Sequence, residues 1–183
     1  MLWRLNRTTG SYYYPAITHC NHVTNWSNKP LKYRIDVASM GKLGFDIKVG
    51  ELSDKDLSFC KSAVANYNLF KDIVWHGDLF RLVSPYDDDF ASLIFVNPGK
   101  TKGVMFNYLT NWRYLPETTI RPVKLQGLDP DKKYRISEIN LYENQRSPVD
   151  ATRVYTGDFL MKVGINPKVN LSRTSVVLKI EAE

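Results

Sequence analysis

Little in this chain points to redox, metal or nucleotide chemistry. Its 183 residues hold two cysteines, Cys20 and Cys60, with no Cys-x-x-Cys spacing, so neither a disulfide framework nor a paired zinc motif can be built from them. There is no G-x-S-x-G elbow, phosphate loop or dinucleotide fingerprint, which leaves serine-nucleophile, nucleotide and nicotinamide enzymes without a foothold. No cofactor is expected. No apolar run approaches the ~20 residues that cross a bilayer, so no membrane partner is expected. The segment Met1 to Arg7 is basic but lacks the apolar stretch and small-residue cleavage site of a signal peptide. The compartment is left open, with the cytoplasm compatible. Repeats and low-complexity tracts are absent.

A formal net charge of +6 and a pI near 9.2 raise the question of nucleic acid, whose footprint is a clustered basic stripe. Here the cations fall in short groups, Lys29, Lys32 and Arg34, then Lys132, Lys133 and Arg135, interleaved with acids and apolar residues. No nucleic-acid partner is expected. A hydrophobic fraction of 43% beside 24% charged residues is that of an ordinary globular chain with enough apolar matter for a real core.

Two regimes of periodicity divide the chain near residue 79. In the first, the aromatic-rich run Ser11 to Trp26 reads as a strand ending in a polar cluster of His19, Asn21, His22, Asn25 and Trp26. Leu31, Ile35 and Ala38 then recur at helical spacing, with Asn28 as a candidate cap, Pro30 suited to the first turn, and Gly41 or Gly44 as the stop. Gly44 to Ile47 reads as a short link. Ser53-Asp54-Lys55-Asp56 is the strongest helix start, since Ser53 can accept from a backbone N–H and the two aspartates favour the positive helix end. Phe59, Cys60, Ala63, Val64, Tyr67 and Phe70 give the following helix a wide apolar face.

From Asp78 onward, short runs rich in branched and aromatic residues predict strands at 79–83, 91–96, 103–109, 121–125, 134–141 and 175–180. The turns between them, Ser84 to Asp89, Asn97 to Lys100 and Gly127 to Asp131, are dense in turn-forming residues. Six such strands predict an antiparallel β-sandwich.

The order of four segments, Tyr14 to Val23, Arg34 to Ile47, His76 to Pro85 and Tyr155 to Met161, resembles the C-terminal end of bacterial α-galactosidases of glycoside hydrolase family 36. The resemblance implies an α+β architecture. Residues 1–78 would be the truncated end of a (β/α)8 TIM barrel, one strand and two helices, and residues 79–183 a C-terminal antiparallel β-sandwich domain. It further implies retaining hydrolysis of terminal α-galactosides by a parent enzyme. That chemistry needs a nucleophilic carboxylate and an acid/base carboxylate ~5–5.5 Å apart, and in the family both aspartates precede the segment matched by Tyr14 to Val23. No position here corresponds to them, so the chain by itself is expected to be inactive, with α-galactoside as a ligand only within a full-length enzyme.

What the chain would keep is the rim of the site, because barrel sites gather at the C-terminal ends of strands and in the following loops. His19, Asn21, His22 and Trp26 are the candidate substrate-binding residues. For the histidines the plainer alternative is a structural hydrogen bond, and for Trp26 an aromatic plug between loop and barrel. His19-Cys20-Asn21-His22 also suggests a metal, but His76 and Cys60 are the only further ligands of those types, and no metal site is expected. Two other readings stand beside the enzyme fragment. One is a self-standing carbohydrate-binding module using Tyr86, Tyr108, Trp112 or Tyr114. The other is a structural or assembly domain that covers the barrel flank and pairs copies into a homo-oligomer.

Overall fold

The computed structural model describes residues 14–110 and 122–183. A 3-10 turn at Ala16–Thr18 leads into β1 (Cys20–Thr24), followed by α1 (Leu31–Ala38) and β2 (Lys42–Asp46). β1 and β2 pair in parallel, Cys20 opposite Lys42 through Thr24 opposite Asp46. This is a β-α-β unit, which parallel pairing requires because two parallel strands need a crossover between them. Gly44 to Ile47 therefore lies largely in a second barrel-type strand. Its signal was present as Leu43 and Phe45 alternating with Lys42, Gly44 and Asp46.

Helix α1 starts two residues later than a cap at Asn28 would place it. Pro30 is its N-cap, with φ near −50° and no side-chain cap bond, which suits a residue whose φ is set by its ring. At the other end no glycine stops it. Ser39 takes the C-cap, both its N–H and its Oγ donating to the Ile35 carbonyl, at 2.9 and 2.8 Å.

The long helix α2 (Asp54–His76) begins as its sequence predicts. Ser53 Oγ accepts from the Asp56 N–H at 3.1 Å, and Asp54 and Asp56 sit in the first turn. Phe59, Cys60, Ala63, Tyr67 and Phe70 are buried, while Val64 turns partly to solvent. The upper part of this face packs with Val23, Leu31, Ile35 and Ala38. The lower part, Tyr67, Phe70 and Val74, packs instead on the large sheet.

That sheet holds β3 (Asp78–Val83), β4 (Phe90–Val96), β5 (Lys102–Leu109), β6 (Lys133–Ile139), β7 (Val154–Thr156) and β8 (Ser175–Ala182). Its order is β3-β4-β5-β8-β6-β7, antiparallel at every pairing. Both faces are covered, which is why β4 and β5 read as nearly continuous apolar runs. Leu93, Phe95, Val104, Phe106, Tyr108 and Val177 meet the helices. Ile94, Val96, Met105, Val176, Leu178 and Ile180 meet a second layer of Val123, Leu125, Leu128, Leu160, Ile165 and Val169.

The second layer is irregular. In place of a strand over 121–125, Val123 makes a single bridge with Ile165, and Leu125 N–H donates to the Leu160 carbonyl of the short helix α3 (Gly157–Lys162). Arg121 lies outside the described residues. Helix α3 has a cap signal of its own, Thr156 Oγ1 accepting from the Phe159 N–H at 3.1 Å.

One buried carboxylate joins the β-α-β unit to the sheet. Asp36 of α1 is wholly buried. Its carboxylate accepts from Lys32 Nζ at 2.6 Å, Asn140 Nδ2 at 2.8 Å and Ser175 Oγ at 2.7 Å. Its backbone carbonyl, one of the last four of the helix and so without an intrahelical partner, accepts from Tyr108 Oη at 2.8 Å. Taking this carboxylate out of water is costly, but three donors, one of them a cation, compensate it, and removing the acid would strand all of them. Asp36→Ala is expected to lose about 3–5 kcal/mol of unfolding free energy, read from the urea midpoint. A loss below about 1 kcal/mol, within the range of surface pairs, would contradict this.

Three tyrosines report on the same packing. Burial raises the hydroxyl pKa of Tyr67, Tyr134 and Tyr142 above the ordinary phenol range, and for Tyr142 the hydrogen bond it donates to Asp56 Oδ1 at 2.8 Å adds to the effect. The fold favours the neutral phenol. Its stabilisation is complete below the unfolded pKa near ~10 and is lost as pH rises through the higher folded values. Alkaline unfolding should accompany the rise of tyrosinate absorbance, and Tyr142→Phe should shift it to higher pH. An unchanged profile in that variant would contradict this.

Candidate functional site

The parallel register of β1 and β2 decides which side chains can face a ligand. Alternate residues of a strand point to opposite faces. Val23, Leu43 and Phe45 pack against the helices, so Cys20, His22 and Thr24 of β1, with Lys42, Gly44 and Asp46 of β2, belong to the face away from them. On this open face His22 stands over Gly44. A Cβ at Gly44 would lie 2.6 Å from the His22 ring, so only glycine leaves room for the imidazole. Thr24 and Asp46, paired in register, end the two strands on the side where barrel sites form.

Beyond Thr24 the chain enters a loop held by α1. The Arg34 guanidinium donates through Nη1 to the Thr24 carbonyl and to Asn25 Oδ1, the latter at 3.0 Å. Trp26 follows, 88% exposed. An indole left this open is available at the strand ends, either as an apolar platform or to pack against further protein.

The other two candidates fall elsewhere. His19 precedes the first residue of β1, at the opposite end of the strand from Trp26, where its Nε2 lies 3.3 Å from the Tyr14 carbonyl. Asn21 is buried on the helix side. Together they line a cavity of about 20 Å³ with Ala16, Met40, Leu79, Leu93 and Phe95, too small for a sugar. Gly41 packs closely on both, since a Cβ there would lie 2.6 Å from the His19 carbonyl oxygen and 2.7 Å from Asn21 Nδ2. The four candidates thus divide. His22 and Trp26 face the open side and its rim, while His19 and Asn21 hold the layer between strand and sheet. Lys42 and Asp46, not singled out in the sequence, share the open face with His22.

Among the described residues no polar groups gather as a catalytic constellation. Asp56 is occupied by Tyr142 and Ser53. Glu138, almost fully buried, takes Arg173 Nη2 and Ser147 Oγ, each at 2.6 Å. In the Asp87–Asp89 turn, the Asp87 and Asp88 N–H groups donate to the Ser84 carbonyl. Cys60 is buried, and burial pushes its thiol up, away from reactivity. Among the described residues no three His, Cys, Asp or Glu side chains come together as a metal site would need, and no helix is long and apolar enough to cross a membrane. Of the aromatics considered as sugar platforms, Tyr108 is buried under α1 and Tyr86 is exposed. Trp112 and Tyr114 lie outside the described residues.

Residues 90–180 match the glycosyl hydrolase family 36 C-terminal domain. A probable alpha-galactosidase C of Aspergillus terreus is 30% identical over 74% of the chain, and the alpha-galactosidase AgaA of Geobacillus stearothermophilus 27% identical over 74%. The chain spans 16% of the length of each. Among solved structures, the family 36 α-galactosidase AgaB of Geobacillus stearothermophilus superposes with a TM-score of 0.83 at 24% identity, covering 98% of this chain and 24% of that one. The α-galactosidase of Lactobacillus brevis gives 0.81 at 22% identity, with 98% and 24% covered. The fold match thus extends over the β-α-β unit as well as the sheet. The chain belongs to glycosyl hydrolase family 36 and corresponds to the C-terminal portion of that family's α-galactosidases.

Proposed function

We propose that this chain supplies the closing end and the supporting sheet of an α-galactoside hydrolase and does not carry the reaction alone. The observation that supports this most is the make-up of the open face of β1 and β2. Retaining glycoside hydrolysis needs two carboxyl groups across the scissile bond, and Asp46 is the only one that the two strands present there. A single carboxylate cannot both attack the anomeric carbon and protonate the leaving oxygen. His22, paired with Gly44 on the same face, can donate hydrogen bonds to sugar hydroxyls, and Trp26 offers an apolar face, so the open face is equipped to hold a sugar that other residues cleave.

In this reading His19 and Asn21 position β1 against the sheet, and Arg34 fixes the loop that carries Trp26. The sheet serves as a rigid backing, with Asp36 as its fastening to the helix layer. The isolated chain should show no turnover of a chromogenic α-galactoside above a buffer blank, and measurable hydrolysis would overturn the assignment. In a polypeptide joined to a catalytic barrel of the family, Trp26→Ala should raise KM about tenfold or more, the scale of a lost aromatic contact of ~1.4 kcal/mol, with kcat little changed. Unchanged KM would remove Trp26 from the substrate rim.

A further inference from the structure

A second cleft lies in the layer of the sheet remote from β1 and β2, and neither the barrel end nor the proposed hydrolysis uses it. It has a volume of about 320 Å³ and opens between the segment 148–153 and the segment 164–168, within the size range of small-ligand sites. Its floor is apolar, formed by Ile136 of β6, Val149 and Ile165, with Tyr155 and Phe159 along one wall. These two rings stack, with centroids 5.7 Å apart and planes 23° from parallel, and the Arg153 guanidinium lies over the Tyr155 ring at 5.1 Å. Asp150, Arg153, Asn166 and Lys168 supply the polar lining.

We propose that this cleft is a binding site for a neutral saccharide of one or two pyranose rings, separate from the site at the barrel end. The lining argues for this class of ligand. Arg153 and Lys168 only donate hydrogen bonds and the Asp150 carboxylate only accepts, so a ligand that satisfies both must offer acceptors and donors side by side, which sugar hydroxyls do without a net charge. The apolar floor beside the stacked rings suits the C–H face of a pyranose. An inorganic or organic anion fits less well. Asp150 stays ionised at the rim, its carboxyl held below the usual range by hydrogen bonds from the Thr152 hydroxyl and N–H, and it opposes a second negative charge.

The walls are also fixed in advance, which lowers the ordering cost of binding. Both Thr152 bonds go to Asp150 Oδ1, so the other carboxylate oxygen does not have to give up either bond to meet a ligand. Asn166 Oδ1 accepts from the Lys168 N–H at 2.8 Å and shapes the opposite lip. Val123 and Ile165 exchange two backbone hydrogen bonds beneath it.

The site can be tested on the whole chain by backbone-amide NMR titration with methyl α-galactoside and with raffinose, each up to its solubility limit, and in parallel with inorganic phosphate. Saturable shifts for at least one sugar, clustered at 149–155 and 164–168, are expected. The double variant Asp150→Asn, Arg153→Gln, whose side chains are exposed, should weaken that binding about tenfold or more while leaving the thermal midpoint unchanged. Shifts confined to the neighbourhood of Trp26, phosphate saturating the cleft while the sugars do not, no shift with any probe, or full affinity in a folded double variant would each overturn the proposal. None of these outcomes bears on whether the chain hydrolyses a galactoside, so the catalytic reading stands or falls separately.

Discussion

The Asp36 carboxylate stands at the point where three parts of the chain, distant in sequence, must meet. Lys32 approaches it from one turn earlier in α1, Asn140 from the end of β6 and Ser175 from the first residue of β8, while Tyr108 at the end of β5 takes the carbonyl of the same residue. An ionised side chain with no water contact holds its place only when its oxygens are filled. The helix layer therefore has one angle and one register against the sheet at which the network closes. Apolar packing of Tyr33, Val37, Phe70 and Val74 on the sheet provides most of the attraction, but such packing tolerates sliding. The carboxylate supplies the direction.

That constraint carries through to the open face of β1 and β2. With α1 fixed, Arg34 on the same helix holds the loop after β1, and the turn into β2 is held by Tyr67, whose hydroxyl donates to the Gly41 carbonyl at 2.7 Å and accepts from the Leu43 N–H at 3.1 Å. The positions of His22, Asp46 and Trp26 thus depend on contacts made at the back of the strands. A C-terminal sheet can in this way matter to a barrel site without touching the sugar.

Much of this was legible in the chain itself. Ser53 announced α2, the apolar runs at 91–96 and 103–109 announced buried strands, and the order of four motifs announced the family. What escaped had physical causes. Lys42–Asp46 alternates apolar and polar residues, but over five positions with Gly44 at its centre that pattern is weak alone, and the strand depends on its pairing with β1. The division of His19 and Asn21 from His22 follows from strand alternation, but where the strand starts and which face the helices cover are set by tertiary contacts. Among the described residues of the 121–125 run, Val123 makes a single bridge, to Ile165, which is followed by a loop. The Asp36 network links residues up to 139 positions apart, beyond any local pattern, and the cleft between 148–153 and 164–168 joins two loops that become neighbours only through β6 and β7.

Native-state hydrogen exchange tests most directly whether Asp36 makes the β-α-β unit and the sheet one cooperative body. Amides of α1, exemplified by Ile35 and Val37, should open only with the same free energy as the central strands β5 and β8, and Asp36→Asn should lower that value for α1 while β5 stays protected. If α1 in the unaltered chain exchanges through openings far cheaper than those of β5, the two layers are independent and the account is contradicted.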